Sequence, residues 1–183
     1  MSTASLAREL KAALKTYPDF PSEGISFEDF LPIFANHELF QKLIEAFKIH
    51  IQESFADKKI DFVVGLESRG FLFGPTLALA IGAGFVPVRK PGKLPGTIVQ
   101  TCYKKEYGED VFEMQVGAIP ADSNVIVVDD ILATGGSASA AGSLVKQVGG
   151  IILEFMFVME LEFLKGRNTL PAPTFTLLSG QQK

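Results

Sequence analysis

The spacing of apolar residues changes character once along this chain, at about residue 60, where helical repeats give way to short apolar runs alternating with helical segments. Before that point, Leu6, Leu10, Ala13 and Leu14 share one side of a helix over residues 5–16. That helix must stop before Tyr17-Pro18, because a residue ahead of proline avoids helical backbone. Residues 19–32 are irregular and dense in Pro, Gly and Phe. Asn36 can cap a second helix, in which Leu39, Phe40, Leu43, Ile44, Phe47 and Ile51 recur at helical spacing. Beyond it, strands are expected over residues 60–66, 85–88, 125–130 and 151–160. Helices are expected over 71–81 and 134–148, the latter ending at Gly149-Gly150. Two strand-like pieces, 97–103 and 110–114, flank Glu106-Tyr107-Gly108 and read as a projecting hairpin. This alternation predicts an α/β fold, a central, mostly parallel sheet with helices on both faces. Ligands of such sheets bind at the carboxyl ends of the strands, which directs attention to the loops after Leu66, Val88 and Asp130.

Composition narrows the classes. A length of 183 residues suits one domain, which at this size buries roughly 70% of the surface its unfolded chain exposes. No run is long and apolar enough to span a bilayer, and the N-terminus lacks a secretory pattern. The single cysteine, Cys102, excludes an intrachain disulfide framework and favours a reducing, cytoplasmic setting. A net charge of −4 argues against general nucleic-acid binding. Yet Arg89, Lys90 and Lys93 crowd one loop, followed by Lys104 and Lys105. A basic loop on an acidic protein suits a small polyanion.

The stretch from Val125 to Ser137 carries the most chemistry. A buried apolar strand ends in Asp129 and Asp130, and after a short turn a helix begins at Thr134-Gly135-Gly136-Ser137. A helix start leaves backbone N–H groups unpaired and favours negative charge. Glycines there let main chain close around a phosphate. Asp129 and Asp130 would repel a phosphate, so they should face hydroxyls or a magnesium ion. Together the halves describe a sugar-phosphate site. A serine hydrolase is excluded, since Leu66 stands where the elbow around Ser68 needs glycine and both histidines precede that serine. His37, His50 and a distant Cys102 cannot build a zinc site either. His37 and His50 read as helix-surface residues, and Arg167 as structural.

The run ending Asp129-Asp130-Ile131-Leu132-Ala133-Thr134-Gly135-Gly136-Ser137 resembles the phosphoribosyl-pyrophosphate motif of type I phosphoribosyltransferases. Further segments resemble the adenine phosphoribosyltransferases in particular: Tyr17-Pro18-Asp19-Phe20-Pro21 with Gly24-Ile25-Ser26-Phe27, then residues 65–71, 89–96, 106–108, 160–161 and 164–167. The likeness runs from Tyr17 almost to the end of the chain. It implies the type I phosphoribosyltransferase fold as a single domain over 1–183, with a base-binding hood near 17–35 and a flexible catalytic hairpin near 96–116. It implies purine salvage: adenine and phosphoribosyl pyrophosphate give AMP and pyrophosphate, in a homodimer that uses magnesium. The rivals are a xanthine or hypoxanthine phosphoribosyltransferase and a purine-sensing regulator on the same fold, for which the chain shows no basic DNA-binding face.

Roles follow by position. The resemblance implies that Arg69, Arg89, Lys90 and Lys93 hold pyrophosphate beside the turn at Ser68, whose bond to Glu67 is expected to be cis. It implies that Ala133, Thr134, Gly135, Gly136 and Ser137 hold the 5′-phosphate, with Asp129 and Asp130 beside the ribose. Phe27 and Leu161 would sandwich the base, and backbone near Ser26 and Glu28 would read its edge. Glu106, in the hairpin with Tyr107, is the expected base for the adenine proton. Magnesium would travel mainly on the substrate, with Asp129 or Asp130 as available ligands. Two positions depart from the family pattern: Glu28, where several relatives carry Arg, and Glu67, where Asp is frequent.

Overall fold

The computed structural model describes residues 2–20, 22–24, 26–105 and 108–180. Its centre is a five-stranded, wholly parallel sheet in the order β4-β3-β7-β8-β9. These strands are β3 (Phe62–Leu66), β4 (Gly84–Val88), β7 (Asn124–Leu132), β8 (Ile151–Leu161) and β9 (Thr174–Gly180). Parallel strands need crossovers that cover both faces, so their sequences are apolar on both sides. In β7 the alternation is explicit. Ile126 and Val128 face α1 (Thr3–Ala12), α3 (His37–Ser54) and α4 (Gly74–Ile81). Val125 and Val127 face α5 (Gly136–Gln147) and a hairpin of β5 (Ile98–Lys105) and β6 (Gly108–Gln115). Asn36 caps α3 as its sequence foretold, its Oδ1 accepting from the Leu39 N–H at 3.1 Å.

Several boundaries moved. The first helix stops at Ala12, and β1 (Lys15–Tyr17) pairs antiparallel with β2 (Phe27–Asp29). The segment expected to be irregular therefore contains a strand and the short α2 (Leu31–Ala35). The expected helix over 71–81 splits into a 3-10 turn, Arg69–Leu72, and α4, which starts where Pro75 can occupy the first turn without a lost N–H. Strand β7 continues through both acids to Leu132, because β8 is long enough to pair with it as far as Glu160.

His50 is no surface residue. It stacks on Phe175, centroids 3.6 Å apart, and its Nε2 lies 2.7 Å from Glu154 Oε2. Arg167 is structural as expected, its guanidinium bridging both oxygens of buried Glu160. His37 lies exposed at the first position of α3.

Candidate active site

From β3 the chain steps outward to β4, then returns through the hairpin to β7 on the other side of β3. The crevice between β3 and β7 is therefore a topological switch point, where open α/β sheets bind ligands. Gly70 lets the loop after β3 close on β7, since a Cβ there would sit 2.8 Å from the Val128 carbonyl oxygen and 3.4 Å from Asp129 Oδ1.

Four loops meet at this crevice. After β3, the Glu67–Ser68 peptide bond is cis. Glu67 Oε2 accepts from Arg89 Nε at 2.9 Å and from the Lys90 N–H at 2.8 Å, which ties this loop to the one after β4. The Arg89 hydrogen bond, then the Lys90 amide, hold the Glu67 carboxyl below its usual value. Arg89 also lies over the Phe71 ring, 5.8 Å from its centroid. Lys90 and Lys93 are exposed, and Lys90 Nζ reaches 3.8 Å from Asp110 Oδ2 on β6.

Arg69 reaches the acids instead of standing free. Its Nε lies 2.7 Å from Asp130 Oδ2, while its guanidinium carbon is 5.9 Å from the Phe30 centroid. The approach is off-line, so buried Oδ2 has an ion pair but no well-directed hydrogen bond. Asp129 Oδ1 accepts from the Asp130 N–H at 2.9 Å. Loss of solvation, then the like charge of Asp130, push Asp129 well above the ordinary carboxyl range. Burial raises Asp130 too, opposed by Arg69.

The next loop is a cradle. Gly135 has φ +83°, and α5 begins at Gly136 with no side chain capping its first turn. Its free N–H groups suit an anion. The 3-10 turn Gly166–Thr169 braces it from outside. A Cβ on Gly166 would overlap the Ala133 carbonyl, and one on Gly135 would lie 2.5 Å from the Gly166 carbonyl oxygen. A cavity of about 470 Å³ joins Thr134, Gly136, Ser139, Ser143 and Thr169 to Thr101, Cys102 and Tyr103 of β5.

On the other side of Arg69, Tyr17, Phe20, Phe27, Asp29, Phe30 and Leu31 line an aromatic cavity of about 380 Å³. Phe20 and Phe27 meet edge to face at 5.1 Å. Leu161 is not in this lining; it pairs with Gly180 at the end of β8. Glu28 Oε2 lies beside Gly180, 2.9 Å from where a Cβ there would sit, and Ser26 is exposed just ahead of β2. The structure thus gathers Phe27, Arg69, Asp130 and the cradle around one crevice. Glu106 and Tyr107 lie outside the described residues. Phe20 and Phe30 fall within the expected hood near 17–35 without having been singled out there, whereas Ser139 and Thr169 were missed from sequence. A larger cavity, about 680 Å³ between α3 and α4, lies on the helical face away from the strand ends.

The fit for a metal is limited but real. Among the described residues no three His, Cys, Asp or Glu side chains converge. Asp130 Oδ2, buried and without a directed donor, suits a cation or hydroxyl that arrives with a ligand.

Comparison with known proteins agrees with this arrangement. A phosphoribosyl transferase domain model matches residues 32–167. The adenine phosphoribosyltransferase of Eremothecium gossypii is 70% identical over 183 residues, covering 100% of this chain and 98% of that protein. A crystal structure of the Saccharomyces cerevisiae enzyme, complexed with an imino-altritol bisphosphate and adenine, superposes with a TM-score of 0.93 at 70% identity, covering 96% of this chain and 99% of that one. The Trypanosoma brucei enzyme, in complex with AMP, pyrophosphate and ribose-5-phosphate, gives 0.85 at 28% identity, covering 95% and 79%. With the fold, the crevice and the full-length likeness in agreement, this chain belongs to the adenine phosphoribosyltransferases.

Proposed function

We propose that the chain joins adenine to phosphoribosyl pyrophosphate, yielding AMP and pyrophosphate, and that the strand-end loops divide the work. The observation that carries this reading is the pairing, across one crevice, of an aromatic cavity with a main-chain anion cradle, two acids lying between them. Relatives with adenine, AMP and pyrophosphate bound support it.

Residues 133–137 take the 5′-phosphate and fix the ribose. Phe27, with Phe20 and Phe30, holds the flat base, and backbone near Ser26 and Glu28 reads its edge; Leu161 would join only if the base reaches the end of β8. As the bond from C1′ to pyrophosphate lengthens ahead of the new bond to adenine N9, the ribose gathers positive charge, as in glycoside chemistry. Asp129 and Asp130 answer that charge. Their ionised forms are disfavoured while the crevice is empty, so a cationic ribose stabilises them most at the transition state. Arg69, Arg89, Lys90 and Lys93 receive the charge gathering on pyrophosphate, and a well-aimed donor in such a site contributes on the order of 3 kcal/mol. The cradle contributes less to the barrier, about 0.3–1 kcal/mol for a helix terminus, and mainly orients. Magnesium, when bound through the substrate and Asp129 or Asp130, would supply further neutralisation of the leaving group. Glu106, beside Tyr107, takes the N9 proton, and the β5–β6 hairpin excludes water from the reactive ribose.

A homodimer belongs to the same proposal. On α4 and the turn before it, Leu72 is 41% and Leu79 84% exposed, an apolar face suited to a second copy. So does a cytoplasmic setting, in keeping with the single free Cys102. Among the described residues no helix is long and apolar enough to cross a membrane. The decisive test is incubation with phosphoribosyl pyrophosphate, magnesium and each purine base in turn. AMP should form from adenine, and equal consumption of hypoxanthine or xanthine would overturn the base assignment.

A further inference from the structure

The loop after β4 is held from two sides by carboxylates. One is Glu67, already described. The other is Glu113 on β6, only 2% exposed and flanked by buried Phe112 and Met114. Its backbone exchanges both hydrogen bonds with Arg89, at 3.0 and 2.8 Å. With those groups turned to Arg89, the facing pair Gln100–Glu113 of the hairpin is a non-hydrogen-bonded pair, the kind in which side chains approach most closely. Gln100 Nε2 accordingly donates to Glu113 Oε1 at 2.7 Å, and the Gly92 N–H donates to Oε2 at 3.1 Å. Gly92 itself has φ +74°, a turn that only this kind of residue adopts easily.

A buried carboxylate is costly unless directed donors hold it, and here both donors are neutral. Phe112 and Met114 project from the opposite face of β6, so the surroundings of the Glu113 carboxylate are Gln100 and the turn at Gly92. The charge is explained by what it grips: the amide of the turn that presents Arg89, Lys90 and Lys93.

We propose that Glu113 is a positioning residue for the reaction, fixing the basic loop at residues 89–93 against the root of the hairpin so that pyrophosphate meets its cations in a set geometry. The inference rests on the assignment of that loop to pyrophosphate. It also means that the basic loop and the hairpin move together, since β6 grips the loop through the Arg89 bridge and the Gly92 amide while Lys90 reaches back towards Asp110.

The test is calorimetric titration of Glu113→Gln and Glu113→Ala with magnesium pyrophosphate and, separately, with AMP. Glutamine offers one acceptor to two donors, so one hydrogen bond is lost; alanine loses both. Pyrophosphate affinity should fall roughly tenfold for the glutamine variant, as expected for one hydrogen bond to a charged group, and further for alanine. AMP, whose phosphate sits in the cradle, should bind within about twofold of wild type, well under the roughly tenfold loss of one such bond. Equal weakening of both ligands would mean a merely structural role, and unchanged pyrophosphate affinity would also overturn the proposal. If either variant fails to fold, Gln100→Leu carries the test with the same two ligands: selective loss supports, equal loss or none refutes. Lys93→Ala separates the premises. If it leaves pyrophosphate affinity intact, the loop assignment fails; if it weakens binding and Glu113→Gln does not, only the present inference fails.

Discussion

Replacing Gly135 by alanine should damage the cradle in a way whose two components can be measured apart. The first is backbone strain. Gly135 sits at φ +83°, and a left-handed conformation costs an L-residue about 1–2 kcal/mol. Gly82 closes α4 at φ +71° with nothing within 4 Å of its absent Cβ, so Gly82→Ala carries that cost alone. The second component is overlap. The new methyl at position 135 would collide with Thr169 Oγ1 and lie 2.5 Å from the Gly166 carbonyl oxygen. A hydroxyl can rotate aside; main chain cannot, and overpacking of this kind costs about 1–3 kcal/mol. The sum is about 2–5 kcal/mol for Gly135→Ala. For a chain of 183 residues each kcal/mol lowers the melting temperature by about 2–4 °C, so Gly135→Ala should lose about 10 °C. Gly82→Ala should lose about 4 °C on the same scale. Thermal melts of both variants supply the first measurement. Titration with AMP supplies the second: Gly82→Ala binds as wild type, and Gly135→Ala binds at least about tenfold more weakly, having lost one or more hydrogen bonds to the phosphate. A Gly135→Ala protein that melts with Gly82→Ala and keeps full AMP affinity would refute the brace between the cradle and residues 166–169.

Three further outcomes are expected. Glu106→Gln should slow single-turnover chemistry by about 10²–10⁴ while phosphoribosyl-pyrophosphate binding holds, and an unchanged chemical step would remove Glu106 as the base. Asp129→Asn should raise the melting temperature at neutral pH while depressing turnover: the folded-state carboxyl lies above its ordinary 3.8, so the native site takes up a proton that the unfolded chain does not hold. Stability from this group therefore falls as pH rises past 3.8, and the advantage of Asn should vanish in acid; a destabilised variant at pH 7 would contradict this. Glu160 has the opposite sign. Its hydrogen bonds with Arg167 hold it below 4.5, so its contribution is full above that pH and lost as pH falls through the lower folded value. Glu160→Gln should be less stable at pH 7 and converge with wild type in acid melts, and parallel curves would dismiss the pair.

What could be read from sequence was whatever a short local pattern encodes. The apolar run into Asp129 and Asp130 announced a buried strand that ends in two acids, and Asn36 announced a helix start, because each signal lies within a few residues. β1 could not be read, since Lys15–Tyr17 are all exposed and gain strand geometry only from pairing with β2. His50 looked like a surface residue because nothing near it in sequence reveals Phe175 or Glu154. The site divides the same way. Residues 133–137 are contiguous and were legible, whereas the brace at Gly166–Thr169 and the wall at Thr101–Tyr103 come from other parts of the chain. The aromatic lining was legible as a region, the hood near 17–35, but which of its rings gather around Phe27 came only with folding.

The contact between Arg69 and Asp130 has a consequence for which molecules can settle in the crevice. An empty site is internally neutralised there, so a visitor gains nothing from the arginine without first parting it from its acid. Bare inorganic anions capture the guanidinium but leave a buried oxygen stranded. In the proposed pose, a pentose bearing phosphates recruits the arginine and hands its own hydroxyl to the oxygen left behind, giving that oxygen the directed donor that Arg69 does not supply. On the proposed roles, discrimination in favour of the sugar arises from partner exchange, before any surface of the pocket has measured its shape.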